Sequence, residues 1–593
     1  KYLAIAQKIY EKTNNESDLR KSMFYLSKNY FAIGFYDSSF ISAKYANSID
    51  QTIIKNNFNT LNEEKKELFL SEMMDCNNFI PNLLLSNYNL KDSVSEFILD
   101  SRILYKGILL NGSIALNKLR TKNLDPRYES LFQSWRIKKL SYNKIAQEKT
   151  DTSKLAIISI LKNELDSIEL NLTNSNSKIL DHIIFKNIKA KDIQNALSVD
   201  EAAIEFIRFN KYSKSPINNR EFIYDNIDSS VYVAIIVTKN HNLKTIILKN
   251  GFELENLAFN FYREHTSKPN STVDSISYNK YWKVFDQELK QYKKIYISSD
   301  GIYNKINLSA IYNPQTHKYV IEEKDIVLLS SLKEITNQPN NFLAENNVTA
   351  VLFGDPIFKL ETQINHPKQM LMSDTLNNRM GMHQLPATKI EVEKISEEMK
   401  LRGLETVLYI GKDANETNLK FVNSPTILHI ATHGFFLKDD DLERNSLINS
   451  KTLKNQPLLR SGLLFSGARN TYEGDKLDGE ENGILYALEA SELDLSTTQL
   501  VVLSACETAN GENKNGEGVY GLQRAFKKAG ARQIIMSMWS VPDNATRELM
   551  IEFYKNYLKT QDAQSSLKTA QLKLKSKYPN KPFYWGAFVI MGK

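Results

Sequence analysis

The chain has 593 residues, 42% of them apolar and 24% charged, and 76 Lys and Arg against 69 Asp and Glu leave a net charge of +7. This composition excludes wholesale disorder, provides ample chain for buried cores, and is too mildly basic to argue for nucleic acid. Two cysteines, Cys76 and Cys506, exclude a disulfide framework and an all-cysteine zinc site.

The longest apolar runs, such as Val231 to Val237, are strand-length and far below the ~18–20 residues that a bilayer span needs. No membrane span is expected. The chain opens on Lys1 without a signal-peptide pattern, which reads as a fragment or processed product. Two free thiols fit a reducing cytoplasm, and the missing start leaves export open.

Residues 1 to about 195 read as helical throughout. Met23, Leu26, Tyr30, Gly34, Tyr36, Ser39, Ala43 and Ala46 fall where a helix–turn–helix repeat of about 34 residues places its packing positions. The unit Leu19 to Ile49 therefore resembles a tetratricopeptide (TPR) repeat, with Ser39 where that family prefers Ala. Its small residues let two helices approach, and Tyr30 and Tyr36 are expected to fill the gap. Lys1 to Thr13 resembles the second helix of a preceding repeat. Thr60 with Glu63 reads as a capping box opening a helix through Met74. Leu99 to Leu119 and Tyr128 to Ala146 continue the helical spacing. Cys76, at the end of one such helix with no basic neighbour in sequence, reads as a small buried hydrophobe.

After Leu197 strands and helices alternate. Strands are expected at Val231–Val237, Thr245–Leu248, Lys294–Ser298, Ile326–Ser330, Thr349–Phe353, Thr406–Ile410, Thr426–Ala431, Gly462–Phe465, Gln499–Ser504, Gln533–Met538 and Ala587–Met591. Helices are expected at Thr388–Leu401, Gly518–Lys528 and Asn544–Leu558. Near-continuous apolar strands between helices mean a mostly parallel sheet covered on both faces. The fold class is thus a helical region followed by α/β. The strand number suggests two α/β units, giving divisions at 1–195, 200–345 and 346–593. The first unit carries no comparable reactive pair.

Two strand ends carry chemistry. One run ends in His433-Gly434 and another in Cys506-Glu507-Thr508. In doubly wound sheets the carboxyl ends of strands are where substrates gather. A thiol there with an imidazole on a neighbouring strand end supplies a nucleophile and a general base, the minimum for acyl transfer. Spacing alone leaves Cys506 as either a nucleophile or an inert core thiol.

The surrounding words add to this. HIATHGFF around His433 and VVLSACETANGE around Cys506 resemble the paired signatures of the CHAT family, caspase-like peptidases often found behind TPR repeats. LPATKIEVEKI at Leu385–Ile395, GKDANETNLK at Gly411–Lys420 and SGLLFSGA at Ser461–Ala468 match in order and spacing. So do GEGVYGLQRAFKKAGAR at Gly516–Arg532, MSMWSVPDNATRELMIEFY at Met536–Tyr554 and PFYWGAFVIMG at Pro582–Gly592. The resemblance covers about 200–593, and the helical first third is similar to TPR-CHAT proteins. It implies a caspase-type sheet whose 200–345 half is a degenerate copy and whose 346–593 half is catalytic. Cys506 would be the nucleophile and His433 the base of a cysteine endopeptidase, with backbone N–H groups of Gly434 and Cys506 as the oxyanion hole. Glycine after the histidine is expected to allow a sharp turn there. No third catalytic residue, cofactor or metal is implied. The TPR-type surface would bind a substrate protein or regulatory partner, as in bacterial defence or regulated proteolysis.

Weaker signals remain. Gly516-Glu517-Gly518-Val519-Tyr520-Gly521 is a formal G-x-G-x-x-G, but it lies too far past a strand for a dinucleotide and reads as a turn into a helix at Val519–Lys528. His429 and His433 are four apart, yet in a strand-like setting; His429 reads as a structural histidine. Asp439-Asp440-Asp441 with Glu443, and Glu473, Asp475, Asp478, Glu480 and Glu481, read as solvated loops or as a cleft rim favouring a basic residue. Asp543 reads as a helix N-cap or as a specificity-pocket carboxylate, and Trp539 as a wall of that pocket by resemblance. Two rival functions share these residues: an interaction scaffold with a silent protease half, and a cysteine acyltransferase or amidase.

Overall fold

The computed structural model describes residues 10, 15–86, 91–122, 126–147, 152–212, 230–270, 272–337, 348–361, 382–442, 448, 453–454, 456–475, 481–514 and 517–593. The half-repeat expected at Lys1–Thr13 lies, apart from Tyr10, outside them. The TPR-like unit is a pair of packed helices, Glu16–Ala32 and Tyr36–Asn57. Ala43 and Ala46 are fully buried. The buried hydroxyls of Ser27 and Ser39 each donate to the other residue's carbonyl at 2.8 Å, so Ser39 is accommodated where an alanine is usual. The aromatic filling differs from expectation. Tyr30 and Tyr36 are half-buried, and Phe31 takes the core position, edge-on to Tyr36 at 5.7 Å.

Two further helix boundaries move. The cap of Glu63–Met73 is Asn62, which accepts from the Lys65 N–H at 2.9 Å, whereas the Thr60 hydroxyl donates to the Asn57 carbonyl. The helix read over 99–119 is two, Lys91–Tyr105 and Ile108–Lys122, broken where Gly107 takes φ +67°. Only glycine enters that region without steric cost. Cys76 is buried, its thiol donating to the Ala43 carbonyl at 3.3 Å, and burial pushes that thiol well up. Both cysteines are free. Among the described residues no helix is long and apolar enough to cross a membrane.

Beyond residue 200 one sheet of eleven strands organises the chain. Across it lie Lys244–Leu248, Ser230–Thr238, Glu201–Asn210, Lys294–Ser298, Asp325–Leu329, Phe588–Met591, Gln533–Ser537, Leu500–Ser504, Ile427–Ala431, Thr349–Pro356 and Glu405–Gly411. From Glu201–Asn210 to Phe588–Met591 the neighbours are parallel. From Gln533–Ser537 to Glu405–Gly411 they are parallel again. The two blocks meet antiparallel at Phe588–Met591. The strands assigned to two α/β units therefore form two blocks of one continuous sheet, with the last strand of the chain as the seam.

Two strand assignments change. Glu201–Asn210 sits inside the first block although its sequence gave no strand signal. It is buried on both faces, but Glu205 and Arg208 interrupt the continuous apolar run by which such a strand is recognised. Ser461–Leu464 leaves the large sheet and pairs antiparallel with His433–Phe436 and Ile484–Tyr486.

The helical region is keyed into the first block. Lys106, 3% exposed, donates to Glu205 Oε1 and Ser298 Oγ, both at 2.7 Å. Arg102 pairs with Asp300 at 2.6 Å. Glu205 and Ser298 face each other at the last rung of their parallel ladder, so these cations fill the carboxyl end of that block.

Candidate active site

The second block leaves the corresponding end open. Ile427–Ala431 and Leu500–Ser504 are adjacent and parallel, with Ala431 opposite Ser504. His433 and Cys506 therefore lie two residues beyond the same rung. Both line one cleft of about 220 Å³, together with Gly434, Ser504, Trp539 and Asp543. Every expected site residue is at this cleft.

Gly434 is there for a different reason than a turn. It is extended within His433–Phe436, and a Cβ on it would sit 2.6 Å from the Cys506 carbonyl oxygen. The missing side chain is what lets the histidine strand approach the cysteine loop. Leu437 N–H donates to Arg460 O, and hydrogen-bonded pairs alternate in an antiparallel ladder. The rungs His433–Leu464 and Phe435–Gly462 are thus bonded, and Gly434 between them turns its N–H out of the ladder. On the cysteine side, Glu507 adopts φ +54° directly after the thiol, an uncommon conformation for a residue with a Cβ. The turn is pinned by Ala509 N–H to Ser537 O at 2.8 Å and by the Ser537 hydroxyl to Ala505 O at 2.6 Å.

His433 Nε2 lies 2.8 Å from the His383 carbonyl oxygen. A carbonyl only accepts, so Nε2 carries the proton and Nδ1 is left as the basic nitrogen. Burial holds His433 below its usual pKa, opposed by the His383 carbonyl and the Asp543 charge. Burial raises the Cys506 thiol, opposed by bonds from Ser540 and the Val541 N–H, while Glu507 and Asp543 raise it further. Cys506 Sγ and Ser540 Oγ are 3.1 Å apart. Both shifts favour the uncharged forms of the thiol and the imidazole. The His383 carbonyl was missed in the sequence because a backbone acceptor leaves no residue-type signature.

Trp539 is 6% exposed and donates its indole N–H to the Phe583 carbonyl at 3.1 Å. Asp543 is the first residue of the helix Asp543–Thr560 rather than its N-cap, which is Pro542. Buried Glu391 also lines the cleft; its Oε1 is 3.0 Å from His429 Nε2, whose Nδ1 faces the Tyr554 hydroxyl at 3.3 Å. His429 is fully buried in that network and shares no ligand cluster with His433 among the described residues.

The other sequence signals resolve elsewhere. Glu473 and Asp475 hold Lys359, Glu481 binds Lys420 at 2.7 Å, and Asp439 pairs with Arg460 at 2.7 Å. None of these lines the cleft. Glu443, Asp478 and Glu480, and the side chains of Asp440 and Asp441, lie outside the described residues. Glu416, Glu481 and Glu489 converge as a metal-like carboxylate cluster, but Lys420 bonds all three at 2.7–2.9 Å. The glycine-rich stretch is a hairpin strand, Gly518–Gly521, paired with Gly511–Lys514, and only then does the helix Leu522–Ala529 begin. That hairpin follows Cys506, and it and the helix after it are held by the helical region. Glu67 pairs with Lys514, Glu63 with Lys528 at 3.1 Å, and the Leu109 N–H meets Glu517 at 3.4 Å.

Comparison with known proteins adds the family. The chain is 34% identical to mouse (Mus musculus) tetratricopeptide repeat protein 28 over 110 residues, 18% of this chain and 4% of that one. It is 21% identical to the human (Homo sapiens) protein of that name over 317 residues, 51% of this chain and 12% of that one. It therefore spans only a small part of the curated relatives it matches. Solved structures that it resembles include the Saccharomyces cerevisiae separase–securin complex, with TM-score 0.34 and 10% identity, covering 100% of this chain and 48% of that one. They also include the pro- and mature domains of Porphyromonas gingivalis RgpB, with TM-score 0.29 and 8% identity, covering 58% and 76%. The profile of the CHAT domain matches residues 278–593, more than half of the chain. The chain belongs to the CHAT domain family.

Proposed function

We propose that the chain is a caspase-like cysteine endopeptidase working through a Cys506–His433 dyad, and that its helical region recruits a substrate protein or a regulatory partner. The supporting observation is the pairing of a thiol and a carbonyl-tethered imidazole at adjacent parallel strand ends on one cleft. In this reading His433 Nδ1 takes the thiol proton as sulfur attacks the peptide carbonyl. The oxyanion meets the N–H groups of Gly434 and Cys506, donors of a kind worth about 3–4 kcal/mol. The imidazolium then protonates the leaving amine, and water releases the acyl group from sulfur. Trp539 and Asp543 form the adjoining side-chain pocket. The 200–345 half is the degenerate copy. A partner that moves the helix Glu63–Met73 reaches the hairpin after Cys506 through Glu67, and the helix that follows the hairpin through Glu63.

The test is to map new protein N-termini after adding wild type or Cys506→Ala to a lysate of the source cells. Termini that require Cys506 are expected; the same termini with the variant overturn the reading. A second reading, a silent interaction scaffold, is favoured by the resting contact of the thiol with Ser540 and by the lack of a Cys506–His433 hydrogen bond among the described residues. It predicts iodoacetamide alkylation of Cys506 no faster than of buried Cys76.

A further inference from the structure

The cleft beside Cys506 carries a charge and hydrogen-bonding pattern that names a substrate class, on the peptidase reading above. Of the residues described along its wall, Asp543 and Glu391 are carboxylates and none is Lys or Arg. The two come from different elements, the first turn of Asp543–Thr560 and the second turn of Pro386–Lys400. Those helix starts each bring at most about half a positive charge, which two carboxylates outweigh. Burial raises the Asp543 carboxyl above its usual range, with Glu391 adding to the rise and His433 opposing it. Glu391 already meets His429 through Oε1, whereas Asp543 has no ion pair among the described residues.

A third group comes from the sheet. Ser504, the last residue of its strand and two before Cys506, is 4% exposed, and its hydroxyl has no hydrogen-bond partner among the described residues. The other buried hydroxyls at the cleft are spent on backbone. Thr388 donates to Leu385 O at 2.7 Å, Ser537 to Ala505 O at 2.6 Å, and Thr432 to Leu464 O. A buried hydroxyl left without a partner costs about 1–3 kcal/mol, and one lining a cleft beside a nucleophile is placed to be satisfied by what enters.

We infer that this cleft selects an arginine side chain in the residue whose carbonyl Cys506 attacks, with Ser504, Glu391 and Asp543 as the specificity-determining groups. Acceptors offered from three elements suit the planar, five-donor guanidinium better than a single-point ammonium. An acidic guest would face two carboxylates with no cation. An apolar guest would leave Ser504 unsatisfied and bury the Asp543 carboxylate without a partner.

The experiment labels the full-length protein with peptidyl acyloxymethyl ketones that differ only in the terminal side chain, Arg, Leu or Asp. Attachment at Cys506 is followed by intact mass and peptide mapping. The Arg probe is expected to label at least about tenfold faster than the Leu probe and about a hundredfold faster than the Asp probe. Asp543→Asn and, separately, Ser504→Ala should each lower the Arg-to-Leu rate ratio at least about threefold. A ratio internal to each variant is insensitive to partial loss of folded protein. Leu or Asp labelling at or above the Arg rate, or a ratio unmoved in both variants, overturns the assignment. Iodoacetamide alkylation separates this from the underlying reading. If Cys506 out-reacts Cys76 yet the Arg probe has no advantage, the pocket assignment alone fails. If Cys506 does not out-react Cys76, the dyad itself fails.

Discussion

The two blocks of the sheet meet the same problem, a crevice at the carboxyl ends of parallel strands, and answer it in opposite ways. In the first block the helical region drives Lys106 and Arg102 onto Glu205, Ser298 and Asp300. In the second block the crevice stays open between Cys506, His433 and Asp543. Buried charges in the first are spent on holding the chain together. Polar groups in the second are only partly satisfied, and that residue of unmet chemistry is what a substrate can use.

Five measurements would break or sharpen the contrast. The largest effect is expected at the open end: His433→Ala should lower kcat on a peptide substrate about 10²–10⁴-fold, and full retention of rate would remove the base. At the filled end, Lys106→Ala leaves buried Glu205 with only the more distant Arg102, 3.7 Å away, and should cost up to about 3–5 kcal/mol in denaturant unfolding. Pairing Lys106→Met with Glu205→Leu should recover most of that loss, since no lone charge then stays buried; failure to recover would mean that the pair does more than fill space.

Gly434→Ala tests how closely the open end is built. A Cβ 2.6 Å from the Cys506 carbonyl forces the strands apart, and kcat should drop about 10–100-fold with KM changed much less, by the sensitivity of reaction geometry to about 1 Å. A moderate effect concerns pH. As the base of the proposed dyad His433 would have to be neutral, and burial holds it below its usual value, so the acid limb of kcat/KM should have its midpoint below about 6.5. Asp543 opposes that depression, so Asp543→Asn should carry the limb further down, and an upward move would contradict the assigned charge coupling. The smallest effect belongs to the helical region. Ser39→Ala removes one of two reciprocal hydroxyl bonds and should shift unfolding by about 1 kcal/mol or less.

How much was legible depends on the scale of the interaction. Parallel strands buried on both faces announce themselves as apolar β-branched runs, which is why most of the large sheet was read correctly. Glu201–Asn210 escaped for the related reason that its Glu205 is paid for by a lysine 99 residues away, a charge that argues against a buried strand until Lys106 is seen beside it. Caps differ by one or two residues at Asn62 and Pro542, since Thr60 offers as good a capping side chain as Asn62 and Pro542 offers none, which leaves Asp543 as the apparent cap. Gly107 split a helix that periodicity alone kept whole.

What the sequence determined by itself was the alternation of helices and apolar strands, the strand ends bearing His433 and Cys506, and the small-residue packing of the first helix pair. These follow from local periodicity and residue chemistry. The tertiary structure decided the joining of both blocks into one sheet through Phe588–Met591, the tether of His433 to the His383 carbonyl, and the close approach that makes Gly434 necessary. It also decided which acids face the cleft: Glu391 and Asp543 do, and the described acidic loop residues are occupied by lysines and an arginine elsewhere. Each of these rests on a contact between residues distant in the chain, often through backbone atoms, and backbone atoms are the same in every residue type.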